Sequence, residues 1–201
     1  MSDIILVRHM GGLGATFVAC LLRIAEYGKD PIEDGVNKIC KYGSCHFVDN
    51  VYLLHDNFST DVELFNLYID AIDKKSHNKA LVYATHVRDI NLLSDSVDKI
   101  INLYCDENDI TDISKIFVWK NIPDYPDHNV NLVIANYNYY LKNYNYIKQD
   151  NILNISWKEM LYMDLSLLIP KIEEFSGIKN ISKEFFEEWR KRTLEILYIK
   201  H

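Results

Sequence analysis

Four short apolar runs fix what this chain can become: IILV at 4–7, ALVYATH at 80–86, KIINLYC at 99–105 and ILNIS at 152–156. Each reads as a buried strand. Between them apolar residues recur at helical spacing. Val18, Leu21, Leu22 and Ala25 form one stripe, closed by Gly28. Val62, Phe65, Ile69 and Ile72 form a second, over 61–75, and residues 109–120 look helical. Leu165, Leu168, Ile169, Ile172 and Phe175 lead to Gly177, and Ser182 caps a last helix carrying Phe185, Phe186, Trp189, Ile196 and Leu197. Buried strands alternating with helices predict an α/β fold, a three-layer α/β/α arrangement around a central parallel sheet of about four or five strands.

The Tyr- and Asn-rich stretch at 130–147 is biased in composition but places Val130, Val133, Tyr137, Tyr140, Tyr144 and Ile147 on one helix face. That spacing suits core packing better than a platform for stacking bases. No repeat or domain boundary interrupts the pattern, so residues 1–201 are expected to form a single domain.

The net charge of -7 argues against a general nucleic-acid binder, though it leaves room for a local site that takes a small anion. The four cysteines, Cys20, Cys40, Cys45 and Cys105, lack a CxxC pair or zinc-finger spacing, so no metal site is expected. Free thiols are the favoured reading, with a Cys40–Cys45 bridge as the alternative. Neither a secretory signal nor a membrane-spanning run is visible, and a soluble cytoplasmic protein is expected, with no membrane partner.

The chemistry concentrates in HMGGLGAT, which follows the first strand at 9–16. In parallel α/β sheets ligands sit beyond the carboxyl ends of the strands. Gly11, Gly12 and Gly14 permit close backbone approach. Together with Leu13, Ala15, Thr16 and Phe17 they lead into a helix whose free N–H groups and dipole suit an anion. Neither the nucleotide-kinase loop with its Lys-Ser/Thr pair nor the G-x-G-x-x-G dinucleotide fingerprint fits. The competing reading is a tight strand-to-helix turn whose glycines serve packing alone.

These residues resemble the sulfotransferases that use 3′-phosphoadenylyl sulfate (PAPS). GLGATF at 12–17 lies in register with that family's K-S-G-T-T-W loop: Gly14 matches its glycine, Thr16 its second threonine and Phe17 its aromatic. Thr85 and His86 match the Thr-His of its K-T-H-L-P segment. CDENDITDIS at 105–114 stands where the family binds the 3′-phosphate, with Ser114 one place late, and the segment at 155–178 resembles a structural stretch of the family. The resemblance implies transfer of a sulfo group from PAPS to a hydroxyl or amine of a small-molecule or glycan acceptor. His86 would be the general base, 11–17 the 5′-phosphosulfate loop and Ser114 a 3′-phosphate contact.

Two of the family's cations are replaced, the loop lysine by Gly12 and the 3′-phosphate arginine by Cys105. Arg8, just before the loop, is the candidate to supply the missing charge, and is grouped with His86 as catalytic. Arg88, beside Asp89, reads more simply as a solvated pair. The basic run at 190–192 is explained by helical pairs Glu187–Lys191 and Glu188–Arg192. The alternatives to a sulfotransferase are a relative that binds an anion or nucleotide without transfer, a P-loop-type small-molecule kinase, and a purely structural or partner-binding protein.

Overall fold

The computed structural model describes residues 3–8, 13–27, 80–85, 90–93, 97–121 and 146–198. Within them four strands, β1 (Ile4–Arg8), β2 (Leu81–Thr85), β3 (Lys99–Tyr104) and β4 (Ile152–Ser156), form one parallel sheet in the order β2-β1-β3-β4. Five helices accompany it: α1 (Ala15–Tyr27), α2 (Ile110–Asn121), α3 (Trp157–Tyr162), α4 (Leu165–Ser176) and α5 (Lys183–Tyr198). The chain is therefore α/β with a parallel sheet.

β1 lies between β2 and β3, and Ile4, Ile5, Leu6 and Val7 are all 0% exposed. Such double-sided burial is why the run shows no polar alternation. One sheet face, with Ile5, Val7, Val82, Ala84, Ile101, Leu103 and Ile155, joins the helices in one apolar core. The amino end of β1 is held by Asp98, which accepts the Ile4 N–H at 2.7 Å and returns its own N–H to the Ile4 carbonyl at 3.0 Å. α1 grips β2 through two side chains: Arg23 donates to the Val82 carbonyl at 3.1 Å, and Glu26 accepts the Ala80 N–H at 2.7 Å.

Helix ends follow their sequence signals. Ser182 accepts the Phe185 N–H at 3.3 Å at the head of α5, and Gly177 takes a left-handed φ of 81° at the tail of α4. The helix expected over 109–120 starts at Ile110, because Glu107–Asp109 form a 3-10 turn in which the Asp106 N–H donates to the Asp109 carboxylate. α3 was not anticipated from periodicity. It is a single short helix started by a reciprocal cap, Glu159 N–H to Ser156 Oγ at 3.1 Å and Ser156 N–H to Glu159 Oε2 at 2.7 Å. The helix expected over 61–75, residues 130–145 of the one expected over 130–147, and Cys40 and Cys45 lie outside the described residues; residues 146 and 147 are not helical, because the Ile147 backbone bonds to the Asn154 side chain instead. Cys20 and Cys105 are buried. Among the described residues no helix is long and apolar enough to cross a membrane.

Candidate functional site at the carboxyl end of the sheet

With the order β2-β1-β3-β4, the chain leaves β1 toward β2 on one side and later fills β3 on the other. A sheet that reverses direction this way opens a crevice between the carboxyl ends of β1 and β3. Arg8 ends β1, Tyr104 and Cys105 end β3, and the head of α1 follows β1.

Arg8 is 0% exposed, and its Nη1 donates to Asn102 Oδ1 at 2.7 Å. Asn102, also 0% exposed, donates through Nδ2 to Asn154 Oδ1 at 2.8 Å. Asn154 in turn holds the backbone of Ile147, accepting its N–H at 3.0 Å and donating to its carbonyl at 2.6 Å. Register explains the alignment: Arg8 pairs with Asn102 across β1–β3, and Asn102 with Asn154 across β3–β4. Three polar side chains thus form one row across three strands, on the face opposite Ile5 and Val7. Tyr104 stands one step further toward the carboxyl end on the same face. Its hydroxyl bonds Ser156, and burial, followed by the charges of Glu159 and Asp106, raises its pKa.

The loop-to-helix junction is built differently from what a phosphate loop alone would need. Leu13 is 0% exposed, Ala15 and Phe17 1%, so these side chains belong to the core. Phe17 stacks on Trp189 at 5.0 Å and meets Phe186 edge-on at 5.3 Å. Gly14 has a φ of 86°, and a β-carbon there would stand 2.5 Å from Cζ2 of Trp189. Packing and backbone geometry both demand this glycine. What the segment can offer a ligand is backbone: the first intrahelical bond is Val18 N–H to the Gly14 carbonyl at 3.0 Å, which leaves the amides of Ala15, Thr16 and Phe17 ahead of it. Thr16 is buried with them.

The end of β3 is acidic. Cys105 is buried, and burial, then Asp109 and Asp106, push its thiol up to about 12. Lys158 bridges this acid cluster, 3.0 Å from Asp109 and 3.7 Å from Asp106. Ser114 lies on the buried side of α2, 0% exposed, and its Oγ has no hydrogen-bond partner among the described residues.

The basic run of α5 is engaged locally. Arg190 donates to the Met160 carbonyl at 2.7 Å and the Glu159 carbonyl at 3.1 Å, closing the end of α3, while Arg192 pairs with Glu188 as expected. Glu187 pairs with Lys183 at 3.6 Å instead of the expected Lys191. His86, His9, Gly11, Gly12 and Arg88 lie outside the described residues.

No family model, curated protein or solved structure matches the chain.

The residues that sequence reasoning passed over are Asn102 and Asn154. Their signal is present: IILVR, KIINLY and ILNIS each carry a strongly polar residue, Arg8, Asn102 and Asn154, at or beyond the middle of an apolar run. Only the register turns three isolated residues into a row.

Proposed function

We propose that the chain is a sulfotransferase-like domain of the three-layer, P-loop-like type. It binds the 5′-phosphosulfate end of PAPS at residues 11–17 and transfers the sulfo group to a hydroxyl or amine acceptor. One observation carries this reading: a helix N-terminus with three leading amides and a buried arginine both stand at the carboxyl end of β1, at the reversal point of a parallel sheet. Burial of Ile4 and Leu6 as complete as that of Ile5 and Val7 favours a sheet covered on both faces.

In this reading the amides of Ala15, Thr16 and Phe17 face the phosphosulfate, and Arg8, at the end of β1, adds positive potential at the same end of the sheet. His86 takes the acceptor proton while the acceptor atom bonds to sulfur. The S–O bond to the phosphate breaks, and 3′-phosphoadenosine 5′-phosphate leaves. Charge grows on the bridging oxygen, which is where fixed donors lower the barrier most.

A second reading, binding of an anion or nucleotide without transfer, is favoured by the acidic end of β3, where the charges of Asp109 and Asp106 act on a neutral thiol. A thermal-shift titration with 3′-phosphoadenosine 5′-phosphate, ATP and sulfate separates the possibilities. Ligand at about 100 times its Kd adds about 2.7 kcal/mol of stability. A selective shift with the bisphosphate, with transfer from PAPS abolished by His86→Ala, supports the first reading. Binding without transfer supports the second, and indifference to all three ligands overturns both.

A further inference from the structure

We propose that Lys171, held in place by Glu159, shuts the outer edge of β4 against strand addition by a second copy of the chain. The inference stands apart from the anion-binding reading above.

Register decides which backbone groups of β4 look outward. The Ile100 N–H donates to the Asn151 carbonyl at 2.9 Å, so residues 151, 153 and 155 turn their backbone toward β3. Ile152, Asn154 and Ser156 turn theirs away from it, and among the described residues β4 is the last strand on that side of the sheet. An outward row of this kind is a template for another strand. The partner that fits it is the same strand of a second copy. In an antiparallel pair about a two-fold axis at Asn154, the two Asn154 residues exchange both backbone bonds, and Ile152 does the same with Ser156 of the second copy. Every outward N–H and C=O of the strand is then used. The strand itself is no deterrent, since ILNIS contains no proline, glycine or charge.

The chain's own groups occupy that row instead. The Ile152 N–H donates to the Gln149 carbonyl at 3.1 Å, closing a turn. The Ser156 N–H donates to Glu159 Oε2 at 2.7 Å. Glu159 Oε1 accepts from Lys171 Nζ at 2.8 Å, and the same ammonium lies 3.5 Å from the Asn154 carbonyl. One carboxylate thus closes the end of the edge and aims a lysine from α4 at its centre. The Asn154 contact is long for a hydrogen bond, so the ammonium guards the edge chiefly by its charge and its water. Its side chain is 35% exposed. A second β4 would have to displace that charge from the strand centre, where the two-fold axis would also bring the two lysines together.

The test is sedimentation velocity over a concentration series on the wild type, Lys171→Met, Lys171→Arg and Ile116→Val, each first shown to be folded by circular dichroism. Lys171→Met keeps the apolar stem and removes the charge. Its self-association is expected to tighten at least about ten-fold over the wild type, the scale of one hydrogen bond to a charged group. Lys171→Arg should behave as the wild type. Ile116→Val trims a fully buried side chain of α2 and so lowers stability away from the edge, and it too should behave as the wild type. Hydrogen exchange at the Asn154 amide should slow in the Lys171→Met oligomer. Wild-type association in Lys171→Met overturns the proposal. Tightened association in Lys171→Arg does so as well, because the charge would then not be the guard. Equal association in Ile116→Val would trace the effect to lost stability alone, and an oligomer whose Asn154 amide exchanges as in the wild type would place the contact on another surface; either result overturns the inference. Lys171→Gln, polar but uncharged, carries the same expectations if the methionine variant does not fold.

Discussion

Trp189 lays its indole directly over Gly14, so close that a β-carbon at residue 14 would fall 2.5 Å from Cζ2. The same glycine holds a φ of 86°, where a β-carbon is also strained. Gly14→Ala is expected to destabilise the fold by about 2–4 kcal/mol, combining backbone strain with overpacking. In a Trp189→Leu background the penalty should shrink to the backbone part, about 1–2 kcal/mol. Urea denaturation of the four proteins measures the coupling. Equal penalties in both backgrounds would show that the indole contact is not what excludes alanine.

Arg190 closes α3 by donating to the Met160 and Glu159 carbonyls, and its guanidinium lies 5.2 Å from the Phe186 ring centre. Arg190→Met keeps the apolar stem but leaves both carbonyls without that donor. A loss of about 1–2 kcal/mol is expected. Anion affinity should not change, because this arginine serves a helix end. Weaker binding of 3′-phosphoadenosine 5′-phosphate by the variant would place the α5 basic run in the ligand site after all.

Burial alone would raise the Glu159 carboxyl, but hydrogen bonds from Lys171 and from the Ser156 amide and hydroxyl outweigh it, and the pKa is lowered. The unfolded chain then binds the proton first as pH falls. The stability this group contributes is present above the ordinary glutamate value, about 4.3, and is lost as pH drops through the lower folded value. Melting temperature against pH should decline across that window, and Glu159→Gln should flatten the decline. An unchanged slope in the variant would assign the acid sensitivity to other carboxylates.

The Cys105 thiol, pushed up to about 12, is protonated at physiological pH as well as buried. Iodoacetamide at pH 8 should leave the Cys105 peptide unlabelled in the native protein and label it fully in urea, as read by mass spectrometry. Because the folded value is raised, its contribution to stability is complete below the ordinary thiol value, about 8.5, and is lost as pH rises toward the folded value. Rapid native labelling would mean that the end of β3 opens to solvent.

The strands were legible because each is an apolar run bounded by polar sequence, and the observed spans differ from expectation by a residue or two. The end of α4 and the cap of α5 were legible because Gly177 and Ser182 have local physical roles. The strand order was not, since it is decided by contacts such as Arg8 with Asn102, 94 residues apart. α3 has six residues, too few for a periodic stripe, although Ser156 and Glu159 carried its capping signal. Gly14 shows the limit of motif reading. A glycine before a helix suggests room for a phosphate, yet here a tryptophan from α5 occupies the space beside it. Asn102 and Asn154 each look incidental within an apolar run and acquire meaning only together.

The position of β1 also has a consequence during synthesis. Arg8 is made 94 residues before Asn102, and β2, the other neighbour, begins only at Leu81. At about 5–20 residues per second the ribosome needs about 5–20 s to deliver the β3 partner. For that interval an isoleucine- and leucine-rich strand has both edges open, a natural client for a holdase chaperone. Ribosome-stalled chains ending before residue 81 should be captured by such a chaperone, and chains extending past residue 156 should be released.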